Sequence, residues 1–119
     1  MCAAFGAQVF ASALPVAYAK STRSADWATF ARCVLAAAYD ATLLAARILA
    51  RRSGLRVKVF LTCLGGGAFG NRAAWIVGAI NAALVKHRDA PLDVVLVHYG
   101  TMVGRDWRGV VQPAACAST

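Results

Sequence analysis

Acidic side chains are scarce in this chain: five Asp plus Glu stand against thirteen Lys plus Arg, for a formal charge of +8. The imbalance favours an anionic partner, and ten of the thirteen bases are arginine, whose planar fork suits phosphate oxygens. The basic residues are scattered rather than interleaved with aromatics on one surface, which argues against a nucleic-acid interface and lets part of them read as ordinary solvated faces. Cysteine motifs are missing as well. Cys2, Cys33, Cys63 and Cys116 form no C-x-x-C pair, and no histidine stands at ligand spacing, so neither a zinc site nor a redox motif is indicated. Cys33 and Cys63 lie in apolar runs and are expected to be buried, reduced thiols, as in a cytoplasmic or nuclear protein.

Long uninterrupted apolar runs are also absent. The stretch Cys33 to Ala46 contains Asp40 and is bounded by Arg32 and Arg47, short of the roughly 20 residues a spanning helix needs, so no membrane partner is expected. At the N-terminus, Cys2 to Val16 is uncharged and Ala17-Tyr18-Ala19 has the small-x-small form of a cleavage site. No Lys or Arg precedes it, however, so a secretory leader over Met1 to Ala19 is not expected.

What the chain does contain is alanine, which supplies much of its 60% hydrophobic content, and a length of 119 residues that suits one domain. Ala7 to Ala13, AQVFASA, reads as a short buried strand ended by Pro15. After the polar KSTRSA, the residues Trp27, Phe30, Val34, Leu35, Ala38, Ala45 and Leu49 recur near helical spacing. Ser24 or Asp26 is placed to cap that helix, and Arg51, Arg52 and Gly54 mark its end. Leu55 to Leu64 reads as a strand covered on both faces.

Asn71 is then placed to cap a second helix whose stripe is Trp75, Ile76, Ala79, Ile80, Ala83 and Leu84, with Lys86, His87 and Arg88 at its negative end and Pro91 beyond. Leu92 to Val97 is a third strand, closed by His98-Tyr99-Gly100, and residues 101–119 form a tail of unclear structure. Strands and helices in alternation imply right-handed crossovers and a parallel or mostly parallel sheet, in a three-layer α/β/α arrangement.

The chemistry concentrates in LGGGAFGN. Gly65, Gly67 and Gly70 satisfy G-x-G-x-x-G between a strand and a helix. The dinucleotide fingerprint is nevertheless incomplete, because the next strand ends in His98-Tyr99-Gly100 instead of the carboxylate that would hold a ribose, and no G-K-[ST] is present for a Walker loop. What remains is a loop whose missing Cβ atoms let a phosphate approach backbone N–H groups at the start of a helix. A glutamate at Gly66 is expected to fill that phosphate space. In a parallel sheet LPVAY, GGGAFGN and HYG emerge at one edge, where Tyr18, Phe69 and Tyr99 are placed to cover a ribose or base. His98 lies at that edge too, whereas His87 reads as a surface residue paired with the helix dipole. Asp40 and Asp93 fall in elements away from it, and no catalytic set stands out.

LTCLGGGAFGN, followed by WIVGAINAAL and LDVVLVHYG, resembles the second half of a macro domain, the ADP-ribose-binding α/β module, whose glycine loop has a G-[VIA]-[FY]-G core. Gly67-Ala68-Phe69-Gly70 matches that core. Upstream, QVFASALPVAYAK and VLAAAYDATLLAA resemble the preceding strand and helix, so the likeness covers most of Gln8 to Gly100.

The resemblance implies binding of ADP-ribose or an ADP-ribosyl group by Gly65, Gly66, Gly67, Ala68, Phe69, Gly70, Asn71 and Tyr99, with no cofactor or metal. It also implies a truncated fold, since nothing before Gln8 supplies the aspartate and Asn-rich loop that contact the adenine and proximal ribose in that family. Hydrolase activity would need such residues from elsewhere. Three strands and two helices leave an open sheet edge, so a homo-oligomer or a partner chain is expected to cover it. The alternatives are a Rossmann-like fragment of a nucleotide-binding enzyme and a non-catalytic structural or interaction remnant.

Overall fold

The computed structural model describes residues 6–97 and Val110. Two α-helices and two β-strands alternate: α1, Ala28–Ser53; β1, Val57–Leu61; α2, Ala73–Lys86; and β2, Leu92–Leu96. The α/β class expected from the sequence is present, with β1 and β2 parallel and in register from Val57 opposite Leu92 to Leu61 opposite Leu96. His98, Tyr99, Gly100 and all of the 101–119 tail except Val110 lie outside the described residues; Val110 is half-buried against the core.

α1 is alanine-rich and holds 26 residues, about 39 Å of helix. The Ser24–Trp27 turn leads into it, and there the Arg23 N–H donates to an Asp26 carboxylate oxygen at 3.1 Å. It ends as expected at Gly54, whose N–H returns to the Ala50 carbonyl at 2.9 Å, with Arg51 and Arg52 in the last turn. Together with the preceding turn, Ser24–Ser53 is long and apolar enough to cross a membrane by length and composition alone. One side of it, however, forms the core of the fold.

That side is not the expected one. The buried residues are Ala31, Leu35, Tyr39, Leu43, Ala46 and Ala50, whereas Phe30 and Leu49 are exposed and only Leu35 of the expected stripe is fully buried. A helix with alanine and leucine on every side does not fix its own rotation by hydropathy. Here Tyr39 and Asp40 fix it through polar contacts with the loop after β1 and with the end of α2. The same rotation leaves Cys33 exposed, and Cys63 is only partly buried; neither is in a disulfide.

α2 follows the sequence closely, since its six expected stripe residues, Trp75 through Leu84, are all buried. α1 packs against α2 and against β1, so helices cover one face of the sheet through Val59 and Leu61. Among the described residues no helix or strand covers the opposite face. Phe60 and its register partner Val95 are exposed, which corrects the reading of β1 as covered on both sides.

The expected N-terminal strand over Ala7 to Ala13 is also absent. Residues 6–15 have no regular structure, and Phe10 is 90% exposed. The apolar residues suit a strand, but the segment stands across a groove from the open edge of β1 and makes no ladder hydrogen bond with it. Only Ala13, and Val16 in the following Val16–Tyr18 turn, join the core.

Far from the glycine loop, ion pairs tie the elements together. Arg47 holds Asp89 through two hydrogen bonds of 3.1 and 2.9 Å, and Arg56 holds Asp93 at 2.8 Å. Asp40 on α1 accepts from Lys86 at 2.8 Å and contacts the His87 Nε2 at 2.7 Å. His87 is buried rather than on the surface. Its contact with the mid-helix aspartate sets its position, an event its place at a helix terminus does not foretell.

Hydrogen bonding from Lys86, then from His87, holds the Asp40 carboxyl below the usual carboxylate range. A lowered pKa in the fold gives stability that is complete above the unfolded value of about 3.9 and is lost as pH falls through the folded value. Asp40→Asn is therefore less stable than the wild type in urea titrations at neutral pH, and the gap narrows below about pH 4. A gap that stays constant down to pH 2 would show that the charge of Asp40 contributes nothing.

Candidate functional site

The glycine loop begins where β1 stops, and a tyrosine from α1 fixes that point. The buried Tyr39 hydroxyl donates to the Thr62 carbonyl at 2.6 Å and accepts from the Leu64 N–H at 3.0 Å. Burial pushes the phenol up to about 12. The sequence reading passed over Tyr39, and its only signal was an aromatic with a polar tip in the middle of an alanine-rich helix.

From Leu64 the chain turns through Gly66, whose N–H donates to the Cys63 carbonyl at 3.3 Å, and through Gly70, whose N–H donates to Gly67 at 3.0 Å. Asn71 closes the loop. Its N–H donates to the Gly65 carbonyl at 2.9 Å, and its side-chain amide donates to Leu14 at 2.8 Å and again to Gly65 at 3.3 Å. Asn71 is thus buried and does not cap α2 as expected. The cap position falls to Arg72, which makes no side-chain cap hydrogen bond. The two carbonyls that accept from Nδ2 hold the side chain turned away from α2, so Oδ1 makes no hydrogen bond and the first turn of α2 is left without a side-chain acceptor.

The expected meeting of LPVAY with GGGAFGN is present. The Ala17 N–H donates to the Phe69 carbonyl at 2.8 Å, and the Tyr18 ring meets the Phe69 ring edge-on at 5.7 Å. The third expected neighbour, His98-Tyr99-Gly100, lies outside the described residues, so Tyr99 is not placed.

Each glycine of the loop has its own reason to be there. Gly65 and Gly70 have φ near +71° and +73°, a region that disfavours side chains, and added β-carbons would also strike Ala13 and Ala17. A β-carbon on Gly66 would lie 2.8 Å from Cys63 Sγ and 3.3 Å from Ile76 Cδ1. The lack of a side chain at Gly66 therefore serves packing, which corrects the expectation that a glutamate there would project into a phosphate space.

Gly67 differs from the other three. Its φ is not positive, and nothing lies within 4 Å of where its β-carbon would be. Next to it, the N–H groups of Gly67, Ala68 and Phe69 have no acceptor among the described residues. Gly66, Gly67 and Ala68 are exposed. Arg72 stands beside this surface over the Trp75 ring, its guanidinium 5.6 Å from the ring centroid.

The described residues give no metal site, since no group of three or more His, Cys, Asp or Glu among them could hold an ion. Asp26, Asp40, Asp89 and Asp93 are each engaged by a basic side chain, so none is free at the loop to act as a general base. No protein-family model, no curated protein and no solved structure matches the chain.

Removing the Tyr39 hydroxyl leaves the Thr62 carbonyl and the Leu64 N–H with only their mutual hydrogen bond of 3.1 Å. Tyr39→Phe is expected to lose about 1–3 kcal/mol in urea unfolding. Because the folded phenol titrates above the unfolded value of about 10, its contribution is whole below pH 10 and is lost as pH rises toward 12. The wild type should lose stability over that range and Tyr39→Phe should lose less; parallel alkaline unfolding curves would contradict the assignment.

Asn71→Asp places a carboxylate against the Leu14 and Gly65 carbonyls. It is expected to cost at least about 2 kcal/mol and to release the Leu14–Ala17 segment, seen as faster amide exchange at Ala17.

Proposed function

We propose that the loop Gly65–Asn71 binds the diphosphate of ADP-ribose or an ADP-ribosyl group through backbone N–H groups. The observation that supports this most is Gly67, which is unexplained by backbone conformation or packing and sits in the open beside three unpartnered N–H donors. A side chain is disfavoured at such a place when something else must come close to the backbone, and donors of this kind suit an anion.

The turn of Asn71 away from α2 adds to the reading. It leaves a helix start free of side-chain caps, with a partial positive charge next to those donors. Arg72 and the net charge of +8 contribute a favourable field. The Tyr18–Phe69 pair flanks the loop with an exposed ring face, a suitable wall for a ribose or base. Tyr99 is assigned to the same wall from the sequence alone, by its place after the third expected strand and by the macro-domain likeness.

The macro-like, three-layer arrangement belongs to the same proposal. The bare face of the sheet, with Phe60 and Val95 exposed, is what a further layer would cover. The activity proposed is binding. Hydrolysis is not assigned, because every described carboxylate is already engaged.

Calorimetric titration with ADP-ribose is expected to show saturable binding tighter than about 1 mM. Gly67→Glu is expected to abolish it while leaving the melting temperature within about 2 °C of wild type, because the new side chain projects into open space. Gly66→Ala should lower the melting temperature by several degrees, roughly what 1–2 kcal/mol produces in a domain of this size. No heat with wild type at 1 mM, or undiminished binding by Gly67→Glu, would refute the assignment.

A further inference from the structure

β1 has a second edge. The Val57 N–H donates to the Pro91 carbonyl and the Val97 N–H donates to Leu61, so residues 57, 59 and 61 face β2. By alternation the backbone groups of Lys58 and Phe60 face the opposite way. Among the described residues they meet no hydrogen-bonding partner.

Beyond that edge lies a groove of about 770 Å³. One wall is β1, the floor is the α1 surface around Ala45, Ala46 and Leu49, and the far wall is the segment of residues 6–10. The backbone of that segment likewise makes no hydrogen bond to a described residue. Two rows of unsatisfied backbone groups therefore border a single slot.

The slot runs alongside β1, lined by Val57 through Phe60 and by Thr62. Its floor is small and apolar, so alternate side chains of an occupant would cover Ala45 and Leu49 while the others face solvent. Its rim carries Arg52 and Lys58; Arg52 has no acidic partner among the described residues, and Lys58 lies in register with Asp93, whose carboxylate Arg56 already holds. The cationic rim and the +8 charge of the whole chain disfavour a second copy and favour an acidic guest.

We infer that this groove is a docking site for an extended segment of a partner protein, with alternating apolar residues and acidic flanks, that adds to β1 as a third strand. Main-chain hydrogen bonds to Lys58 and Phe60 supply affinity, and the α1 floor selects small or β-branched residues at alternate positions. Addition at this edge also buries the apolar surface around Leu49, and it satisfies a strand edge otherwise open to aggregation.

The test uses the full chain with the blocked peptide acetyl-Glu-Val-Thr-Val-Thr-Val-Thr-Glu-amide, read by residue-resolved amide exchange. With peptide at about 1 mM, exchange at Lys58 and Phe60 should slow by about tenfold or more, while Val59, already paired with β2, should change little. Phe60→Pro removes only an outward-facing N–H and should abolish the protection. Leu49→Glu, which puts a charge on the floor without touching the strand, should do the same if Phe60→Pro fails to fold.

Unchanged exchange at Lys58 and Phe60 would overturn the proposal, as would protection that survives Leu49→Glu. Equal protection by a lysine-flanked peptide would refute the acidic guest. Protection that rises with protein concentration in the absence of peptide would assign the slot to a second copy instead.

Discussion

A single hydroxyl sets the geometry on which the glycine loop depends. Tyr39 on α1 reaches across to the backbone just past β1, accepting from Leu64 and donating to Thr62. It therefore fixes both the rotation of α1 and the point at which the strand turns aside. With that point fixed, Gly66 can tuck against Cys63 and Ile76, and Asn71 can draw Gly65 and Leu14 together. The donors of Gly67, Ala68 and Phe69 remain outside this framework. The loop is thus hydrogen-bonded and packed along its inner side, while the N–H groups on its outer side have no acceptor among the described residues, the arrangement on which the proposed anion binding rests.

The opposite end of the fold works by another rule. There the few carboxylates are consumed one by one: Asp89 by Arg47, Asp93 by Arg56, and Asp40 by Lys86 and His87. These pairs link α1 to α2 and the approach to β1 with the start of β2. They are largely exposed, so each adds only modest stability. Their larger effect is on the field of the molecule, because with the acids neutralised in place the surplus of arginine and lysine is left uncompensated.

How much of this was legible from the residues depends on how sharply each segment was patterned. α2 has one apolar face and polar or small residues elsewhere, so all six of its core positions could be read directly. α1 has apolar residues nearly all round, so its existence and its end at Gly54 were clear but its orientation was not. The two strands were found because β-branched runs between turn signals are distinctive, while the loss of one covering layer over Phe60 depends on what packs there, which no local pattern encodes.

The segment at residues 7–13 failed for a related reason. Strand propensity is a preference for a pleated, half-buried surface, and here the segment stays apart from the one open edge near it, that of β1. In the loop, the glycine spacing located the site and the neighbouring LPVAY. It could not tell which glycine faces inward, and it assigned the Asn71 amide to the nearest helix start when two distant carbonyls claim it.

The reach of that asparagine also bears on the order of events when the chain folds. Leu14 and Asn71 are 57 residues apart, and both loop contacts of Tyr39, Thr62 and Leu64, and the whole of α1 lie between them. Closing so long a loop is entropically costly and yields little until the intervening elements have docked. The helices can form from local contacts, but the glycine loop takes its final shape only when the far end of the chain returns to meet it. A ribosome-bound chain that has not yet released Asn71 would have every glycine of the loop made and the loop still unshaped, so the binding proposed above would register completion of the fold rather than the presence of the motif.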